Sequence, residues 1–178
     1  MNIRVIIANS SHADVISSIG KQSFRDAFAH LFENREELFE YLEYTYDRHK
    51  ILKSLEKENN VFFLAFVENV PVGFAKVKKY SLNEQIESIA QMELQKIYVL
   101  SYYHGSGAGQ ALLNSAMDLA NKVQPDFVWL DTHIQNEKAI RFYERNGFRR
   151  GGKYLFTIGT QTFEYYLMCL PVAVMAPC

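Results

Sequence analysis

The sequence predicts a single domain of the α/β class. The chain has 178 residues, of which 48% are hydrophobic and 22% charged, so it is long enough and apolar enough to bury one core. Segments with helical periodicity alternate along the chain with short runs of β-branched and aromatic residues. No internal repeat, low-complexity tract or linker separates these segments. We therefore expect one domain over residues 1–171, followed by a tail at 172–178.

Charge and cysteine content exclude several other classes. Nineteen Lys and Arg residues against 20 Asp and Glu give a net charge of −1, which argues against a nucleic-acid-binding protein. Cys169 and Cys178 are too few for a disulfide framework. The apolar run from Val5 to Ala8 is too short for a signal peptide, and no stretch approaches the ~20 apolar residues that cross a bilayer. We expect a cytoplasmic protein without nucleic-acid or membrane partners.

The N-terminal third predicts one strand followed by helices. Residues 3–8 are rich in β-formers, and Ser10 or Ser11 can cap a helix over 13–29, where apolar residues recur at helical spacing. A second helix is expected over 33–47, and a shorter piece over 49–57 continues it. The second helix carries an acidic stripe made of Glu33, Glu36, Glu37, Glu40, Glu43 and Asp47.

The rest of the chain predicts strands with two helices between them. Residues 61–80 form a hairpin around Glu68-Asn69, and a half-buried strand covers 89–99. A helix follows the glycine-rich segment at 104–109 and ends at Pro125. Residues 127–131 predict a buried strand, and a helix runs from Asn136 to Gly147. A closing hairpin is expected over 148–158 and 161–170.

The segment HGSGAG at residues 104–109 predicts an anion-binding site. Gly105, Gly107 and Gly109 lie between a strand and a helix, where side chains would block close approach and positive φ would be costly. Their backbone N–H groups, with the positive end of the helix dipole behind them, can cradle a phosphorylated ligand. A tight turn that only needs flexible residues is the alternative.

Two common phosphate motifs do not fit this loop. A Walker loop needs Lys and then Ser or Thr after its last glycine, but Gln110 and Ala111 follow Gly109. A dinucleotide site could use Asp131, at the end of the next strand, to bind a ribose. However, the spacing is G-x-G-x-G, and too little chain follows for a doubly wound sheet.

Residues 94–113, LQKIYVLSYYHGSGAGQALL, closely resemble the acetyl-coenzyme A motif of the GNAT superfamily of N-acetyltransferases. Gly107 and Gly109 fill the two glycine places of that motif, and His104 replaces its usual Gln or Arg. Residues 136–148, NEKAIRFYERNGF, resemble the second family signature, Asn-x-x-Ala-x-x-Phe-Tyr-x-x-x-Gly-Phe. Segments at 23–28, 62–77 and 93–99 are similar to bacterial polyamine N-acetyltransferases of the PaiA type.

The resemblance implies a GNAT-like fold and a site for acetyl-CoA, which leaves as CoA. The implied fold is a mixed, mostly antiparallel sheet of about seven strands flanked by helices, with a splayed parallel pair that holds the cofactor. Backbone groups of Ile97, Tyr98 and Val99 would hold the acetyl carbonyl and the pantetheine arm. The implied cofactor-binding set is Ile97, Tyr98, Val99, His104, Gly105, Ser106, Gly107, Ala108, Gly109, Gln110, Asn136, Ala139, Tyr143 and Arg145, and no metal ligand is expected.

The resemblance also assigns candidate catalytic roles. Tyr143 occupies the general-acid position of the family, and a phenol with a pKa of about 10 is a suitable proton donor to a thiolate, although simple packing is the alternative. Glu93 is the candidate base, with His133 as a second candidate. Asn136 would bind pantetheine, but its spacing equally fits a helix N-cap. Arg145, like Arg141, would reach the phosphates or lie on a solvated helix face.

These features predict an N-acetyltransferase that moves acetyl from acetyl-CoA to a primary amine of a small molecule. The acidic stripe, with Tyr41, Tyr44 and Tyr46 nearby, favours a polyamine acceptor, and a solvated helix face is the alternative explanation. A non-catalytic acetyl-CoA sensor or interaction module is the second hypothesis. A nicotinamide-dependent oxidoreductase is the third. The apolar end of the chain would suit a subunit contact in a homodimer, and a disordered end is the alternative.

Overall fold

The architecture consists of seven strands and five α-helices, in a computed structural model that describes residues 2–172. The strands are β1 (Ile3–Ile7), β2 (Asn60–Val67), β3 (Val70–Lys78), β4 (Gln91–Val99), β5 (Phe127–His133), β6 (Arg149–Ile158) and β7 (Gln161–Pro171). The helices are α1 (Ala13–Phe28), α2 (Arg35–Thr45), α3 (Arg48–Leu55), α4 (Ala108–Val123) and α5 (Glu137–Arg145). Short 3-10 turns precede α1 and α4 and follow α1.

All seven strands belong to one sheet with the order β1-β2-β3-β4-β5-β7-β6. Every neighbouring pair is antiparallel except β4 and β5. This topology confirms the mixed, mostly antiparallel sheet with one parallel pair. It also shows that the doubly wound sheet required by a dinucleotide fold is wrong for this chain.

Helices cover both faces of the sheet, and each layer has its own hydrophobic core. On one side, called the α4 face, Leu112, Leu113 and Ile140 of α4 and α5 pack against the strands. On the other side, called the α1 face, α1, α2 and α3 contribute residues such as Ile16 and Leu42. Within residues 2–172, no helix combines the length and the apolar character that crossing a bilayer requires.

The helix caps differ from the predicted ones. Asn9, not Ser10 or Ser11, begins the first helical segment, because its Oδ1 accepts from the Ser11 N–H at 3.0 Å and starts a 3-10 turn that leads into α1. The predicted second helix corresponds to α2, but the shorter piece expected to continue it is a separate helix, α3. Asp47 Oδ1 accepts from the Lys50 N–H at 3.0 Å and caps α3 as a separate helix.

Two boundaries near the centre and the end of the chain also differ. β4 begins at Gln91 rather than at residue 89, and Ile89 is 92% exposed. The Gln91 side-chain amide donates to backbone carbonyls in the loop before it, which holds residues 79–90 outside the sheet. Val172, in the predicted tail, donates its N–H to Asp126 O at 2.9 Å. Residues 173–178 of that tail lie outside the described residues.

Candidate active site

The parallel strands β4 and β5 are paired at their beginnings and separate toward their ends. The register joins Gln91, Met92 and Glu93 to Phe127, Val128 and Trp129, and extends no further. Beyond that point β4 pairs only with β3, and β5 pairs only with β7. The facing edges of the two strands therefore leave backbone N–H and C=O groups available to a ligand, as in an unpaired strand edge.

A β-bulge in β4 accompanies this separation. In the pairing with β3, Lys76 lies opposite Lys96 and the next residue, Val77, lies opposite Leu94, so Gln95 is an extra residue. A bulge bends a strand and increases its twist. Residues 97–99, which we predicted to hold the acetyl and pantetheine groups, follow the bulge directly. Ile97 and Val99 pack toward the α4 face, and Tyr98 packs toward the α1 face.

The glycine loop connects the end of β4 to α4. Gly105 and Gly107 adopt φ values of +81° and +94°, where other residues are strained, and Gly107 is the N-cap of α4. The first intrahelical bond runs from Ala111 N to Gly107 O at 3.0 Å. The first-turn amides of Gly109 and Gln110 come before that bond, so the helix itself offers them no acceptor.

Side chains of the loop also contribute to its shape. His104 Nε2 donates to the Val99 carbonyl oxygen at 2.9 Å and ties the loop to the end of β4. Ser106 Oγ accepts from the Ala108 N–H at 3.2 Å and occupies one amide of the first turn. The residue that departs from the family motif, His104, therefore supports the loop backbone from an exposed position.

Helix α5 is joined to the start of α4 by side-chain hydrogen bonds. Gln110 Nε2 donates to Asn146 Oδ1 at 2.8 Å. At the other end of α5, Asn136 Oδ1 accepts from the Ala139 N–H at 3.2 Å, so Asn136 is the helix N-cap. Ala139 packs partly buried against the α4-face core. The bond between Gln110 and Asn146 therefore ties the helix of Tyr143 to the start of α4, next to the predicted phosphate loop.

Tyr143 lies in the same packed cluster as Ile97 and Val99. Its ring is 6% exposed and contacts the rings of Phe142 and Phe148, with centroids 5.3 and 5.7 Å away. Burial raises the pKa of Tyr143 above its ordinary value, because the phenolate would lose its hydration. The side chain thus stays protonated at neutral pH, which is the state that a general acid needs.

Glu93, the predicted base, is buried and already has two partners. Its carboxylate lies 3.1 Å from the Lys78 ammonium and accepts from Ser81 Oγ at 2.7 Å. It sits at the last paired position of the two strands, opposite Trp129. The carboxylate is therefore near the point where the strands separate, but an ion pair and a hydrogen bond restrain it.

Asp131 is a second carboxylate near the separated strands. The sequence offered it only as a ribose ligand in the dinucleotide alternative. The structure puts it two residues past the last paired position of β5, and its side chain is exposed. Partial desolvation by the surrounding protein and repulsion from Glu93 raise the pKa of Asp131 to about 6, although a hydrogen bond with Tyr154 and the charge of Lys78 act in the opposite direction. An accessible acid near neutral pKa is typical of functional sites.

His133, the alternative base, is 5% exposed and packs among aromatic rings. Its Nδ1 accepts from the Gln135 N–H at 3.1 Å. Burial lowers the pKa of His133, and His30 lowers it further. These contacts favour a packing role for His133 over the role of a base.

The acidic stripe of the second predicted helix does not act as one surface. Glu37 accepts from the Thr160 N–H and hydroxyl at 3.0 and 2.9 Å, Glu43 pairs with Lys21 at 2.7 Å, and Asp47 caps α3. Half of the stripe therefore stabilises the fold. Glu33, Glu36 and Glu40 are exposed.

The two arginines of α5 differ in their surroundings. Arg141 forms a salt bridge with Glu137, one turn earlier, at 3.1 Å. Arg145 is exposed in the last turn of α5, and the salt bridges within residues 2–172 do not include it. Arg145 therefore keeps its charge available to an anion near the end of α5.

Comparisons with known proteins support the same family. A sequence model described as Acetyltransferase (GNAT) family matches residues 23–148. An uncharacterised N-acetyltransferase of Mycobacterium bovis is 36% identical over 77 residues, which are 43% of this chain and 49% of that protein. The aligned part of this chain thus spans about half the length of that curated relative.

Solved structures share the fold over nearly the whole chain. PaiA N-acetyltransferase from Thermoplasma acidophilum, in complex with coenzyme A, has a TM-score of 0.78 at 20% identity over 96% of this chain and 99% of that one. The ribosomal-protein-S18-alanine N-acetyltransferase from Escherichia coli has a TM-score of 0.67 at 20% identity over 98% and 97%. With the family match and the separated β4–β5 pair, these results show that the chain belongs to the GNAT family of acetyltransferases.

Proposed function

We propose that the protein transfers acetyl from acetyl-CoA to a primary amine of a small molecule, with a polyamine as the favoured acceptor. One observation carries this proposal. The gap between β4 and β5, the first-turn amides of α4 and the protonated Tyr143 converge on one region of the sheet. That combination offers a groove for an extended thioester, an anion cradle at one end and a proton donor beside it.

The residues of this region fit coenzyme A. Gly105 and Gly107 keep side chains away from the loop, and the amides of Gly109 and Gln110 start a 16-residue helix whose dipole favours a diphosphate. Backbone groups of residues 97–99 can hydrogen-bond an extended chain in the gap, although the Val99 carbonyl oxygen already accepts from His104. Arg145 supplies a free cation near the end of α5. When bound, acetyl-CoA supplies an acetyl group activated as a thioester.

The protein would manage two protons during the transfer. Tyr143 holds one on its phenol oxygen, and we propose that it gives this proton to the departing sulfur. A carboxylate takes the other from the attacking amine. Glu93 and Asp131 are the two candidates, and their surroundings differ, because Lys78 and Ser81 restrain Glu93 while Asp131 is accessible.

Acceptor recognition is proposed for the α1 face, on the side opposite α4. Tyr98, Tyr165 and His133 face this side among other aromatic residues, and aromatic rings attract ammonium groups. Asp131 adds a carboxylate that no salt bridge within residues 2–172 occupies. The exposed Glu33, Glu36 and Glu40 would add a diffuse attraction for a polycation. The resemblance of segments 23–28, 62–77 and 93–99 to polyamine N-acetyltransferases, stated in the sequence analysis, favours the same acceptor class.

An amine panel with acetyl-CoA tests this proposal through release of free thiol. The panel contains spermidine, spermine, simple monoamines and a peptide with a free N-terminus, since one solved relative acts on a protein alanine. We expect the polyamines to give the highest kcat/KM. Thermal stabilisation by acetyl-CoA without thiol release from any amine would indicate a sensor instead. Stabilisation by a nicotinamide dinucleotide but not by CoA would contradict the family function.

The variant Tyr143→Phe tests the general acid. We expect kcat to fall by about 100-fold, with little change in coenzyme binding, because the aromatic ring and its packing are retained. Tyr102→Phe is the matched control, since Tyr102 is 91% exposed and should leave kcat unchanged. An undiminished rate in Tyr143→Phe would remove Tyr143 from this role.

A further inference from the structure

Lys96 lies in an unusual position for a lysine. It follows the bulge in β4, and its ammonium lies over the rings of Tyr46 and Tyr98 on the α1 face, 5.3 and 6.0 Å from the ring centroids. This is the face that we propose for the acceptor. The chain therefore places one of its own primary amines among aromatic rings suited to an acceptor ammonium.

The charge of Lys96 is poorly compensated. Glu93, the nearest acid on the same strand, is paired with Lys78 at 3.1 Å, and the salt bridges within residues 2–172 do not include Lys96. Lys76 lies directly opposite Lys96 in the β3–β4 register, and like charges opposite each other are unfavourable.

These surroundings favour the neutral amine. Burial and the nearby Lys78 lower the pKa of Lys96 from 10.5 to about 8, although Glu93 acts in the opposite direction. At pH 8 the neutral fraction of such an amine exceeds that of an ordinary lysine by about a hundredfold. Only a neutral amine can attack a thioester carbonyl.

We propose that Lys96 is a site of self-acetylation, in which the protein modifies its own acceptor face. The inference rests on the proposed function, because Lys96 is one residue before the segment 97–99 that would hold the acetyl group. The Nζ lone pair forms a C–N bond to the acetyl carbon, the C–S bond breaks, and CoA leaves as its thiol. Tyr143 gives its phenol proton to the departing thiolate, and the proton released by the amine restores the phenol.

The modification would change the acceptor face in a defined way. An acetamide has no charge, so acetylation removes the repulsion between Lys96 and Lys76 and leaves a neutral polar group over the Tyr46 ring. Slow self-acetylation would therefore alter the affinity of the site for cationic acceptors without any change in the fold.

Peptide mass spectrometry of the full chain incubated with acetyl-CoA tests the proposal. The exposed Lys53 of α3 serves as an internal reference for acetylation from solution. We expect Lys96 to be acetylated about tenfold or more faster than Lys53, as its larger neutral fraction implies. Excess free CoA should suppress the reaction at Lys96 and leave Lys53 unaffected. Tyr143→Phe should slow only the reaction at Lys96.

Several results would overturn the inference. Lys96 would not be a self-acetylation site if it stayed unmodified while Lys53 reacted, or if free CoA did not protect it. Turnover of the amine panel is measured by thiol release, whereas self-acetylation is measured by mass spectrometry. Acetyl transfer to small amines and self-acetylation of Lys96 can therefore be refuted independently. Amine turnover with an unmodified Lys96 refutes self-acetylation alone, whereas acetylated Lys96 without turnover of any amine refutes transfer to small molecules.

Discussion

Replacing the three loop glycines with alanine, one at a time, separates backbone strain from crowding in the proposed anion cradle. Gly105 and Gly107 have φ values of +81° and +94°, whereas Gly109 lies inside α4. A Cβ at Gly107 would lie 3.1 Å from Ile3 Cδ1, one at Gly109 would lie 3.8 Å from Val99 Cγ2, and one at Gly105 would meet nothing within 4 Å. The three substitutions therefore differ in the backbone strain that they add and in how closely the new Cβ approaches its neighbours.

The magnitudes follow from these differences. A left-handed conformation costs an alanine about 1–2 kcal/mol, so Gly105→Ala and Gly107→Ala should each lower the free energy of unfolding by about that amount. Gly107→Ala should be the worse of the two, because the tip of Ile3 must also move. Gly109→Ala has no such strain and should stabilise the protein by about 0.5–1 kcal/mol, since alanine is the better helix former.

Urea unfolding and calorimetric titration with CoA measure the two effects. Gly107→Ala moves the N-cap whose neighbouring amides form the cradle, so we expect CoA affinity to fall by about tenfold, or ~1.4 kcal/mol. Gly109→Ala should retain binding, because it keeps the first-turn amide and its Cβ would make only an ordinary contact, 3.8 Å from Val99 Cγ2. The reasoning is refuted if Gly109→Ala loses as much stability as Gly107→Ala, or if Gly107→Ala binds CoA like the wild type.

Three further predictions concern the sheet and its charges. Lys96→Met should raise the free energy of unfolding at pH 7 by about 1–3 kcal/mol, because a folded-state pKa of about 8 instead of 10.5 penalises the charged form by that order. The free energy of unfolding of the wild type should rise between pH 8 and 10.5, because the unfolded chain binds more protons than the folded one in this range. The advantage of Lys96→Met over the wild type should therefore shrink there, with Lys53→Met as the control. A difference that does not depend on pH would contradict the lowered pKa of Lys96. Gly73→Ala should lower the free energy of unfolding by about 1–3 kcal/mol and weaken CoA binding, because its Cβ would lie 2.5 Å from the Tyr98 carbonyl oxygen. Unchanged unfolding in urea would show that β4 accommodates the added methyl group. If Asp131 accepts the amine proton, kcat/KM should rise with pH around 6, because more of the carboxylate is ionised there. Asp131→Asn should abolish this rise, whereas Glu93→Gln should retain it. The reverse pattern would assign the base to Glu93.

Local chemistry in the sequence predicted most of the elements. The Glu68-Asn69 pair indicated a hairpin, and both residues adopt positive φ as such a turn requires. The glycines of the loop and the Asn146-Gly147 pair ended or began helices where expected. Helix caps were less predictable, because several polar residues near Asn9 can supply the same hydrogen bond and only the geometry of the turn selects one.

The features of the candidate site likewise divide into those set by local sequence and those set by the tertiary structure. Amide donors at a glycine-rich helix start and a tyrosine in a family signature are properties of contiguous residues, so the sequence by itself was enough to predict the anion cradle and to select Tyr143 as a candidate. The restraint of Glu93 by Lys78 and Ser81, the exposure of Asp131 and the enclosure of Lys96 by Tyr46 arise between distant segments. Only the tertiary structure decided these three features. Strand register and the bulge at Gln95 determine which charged side chains face each other. Their burial depends on helices that come from elsewhere in the chain and pack over the strands.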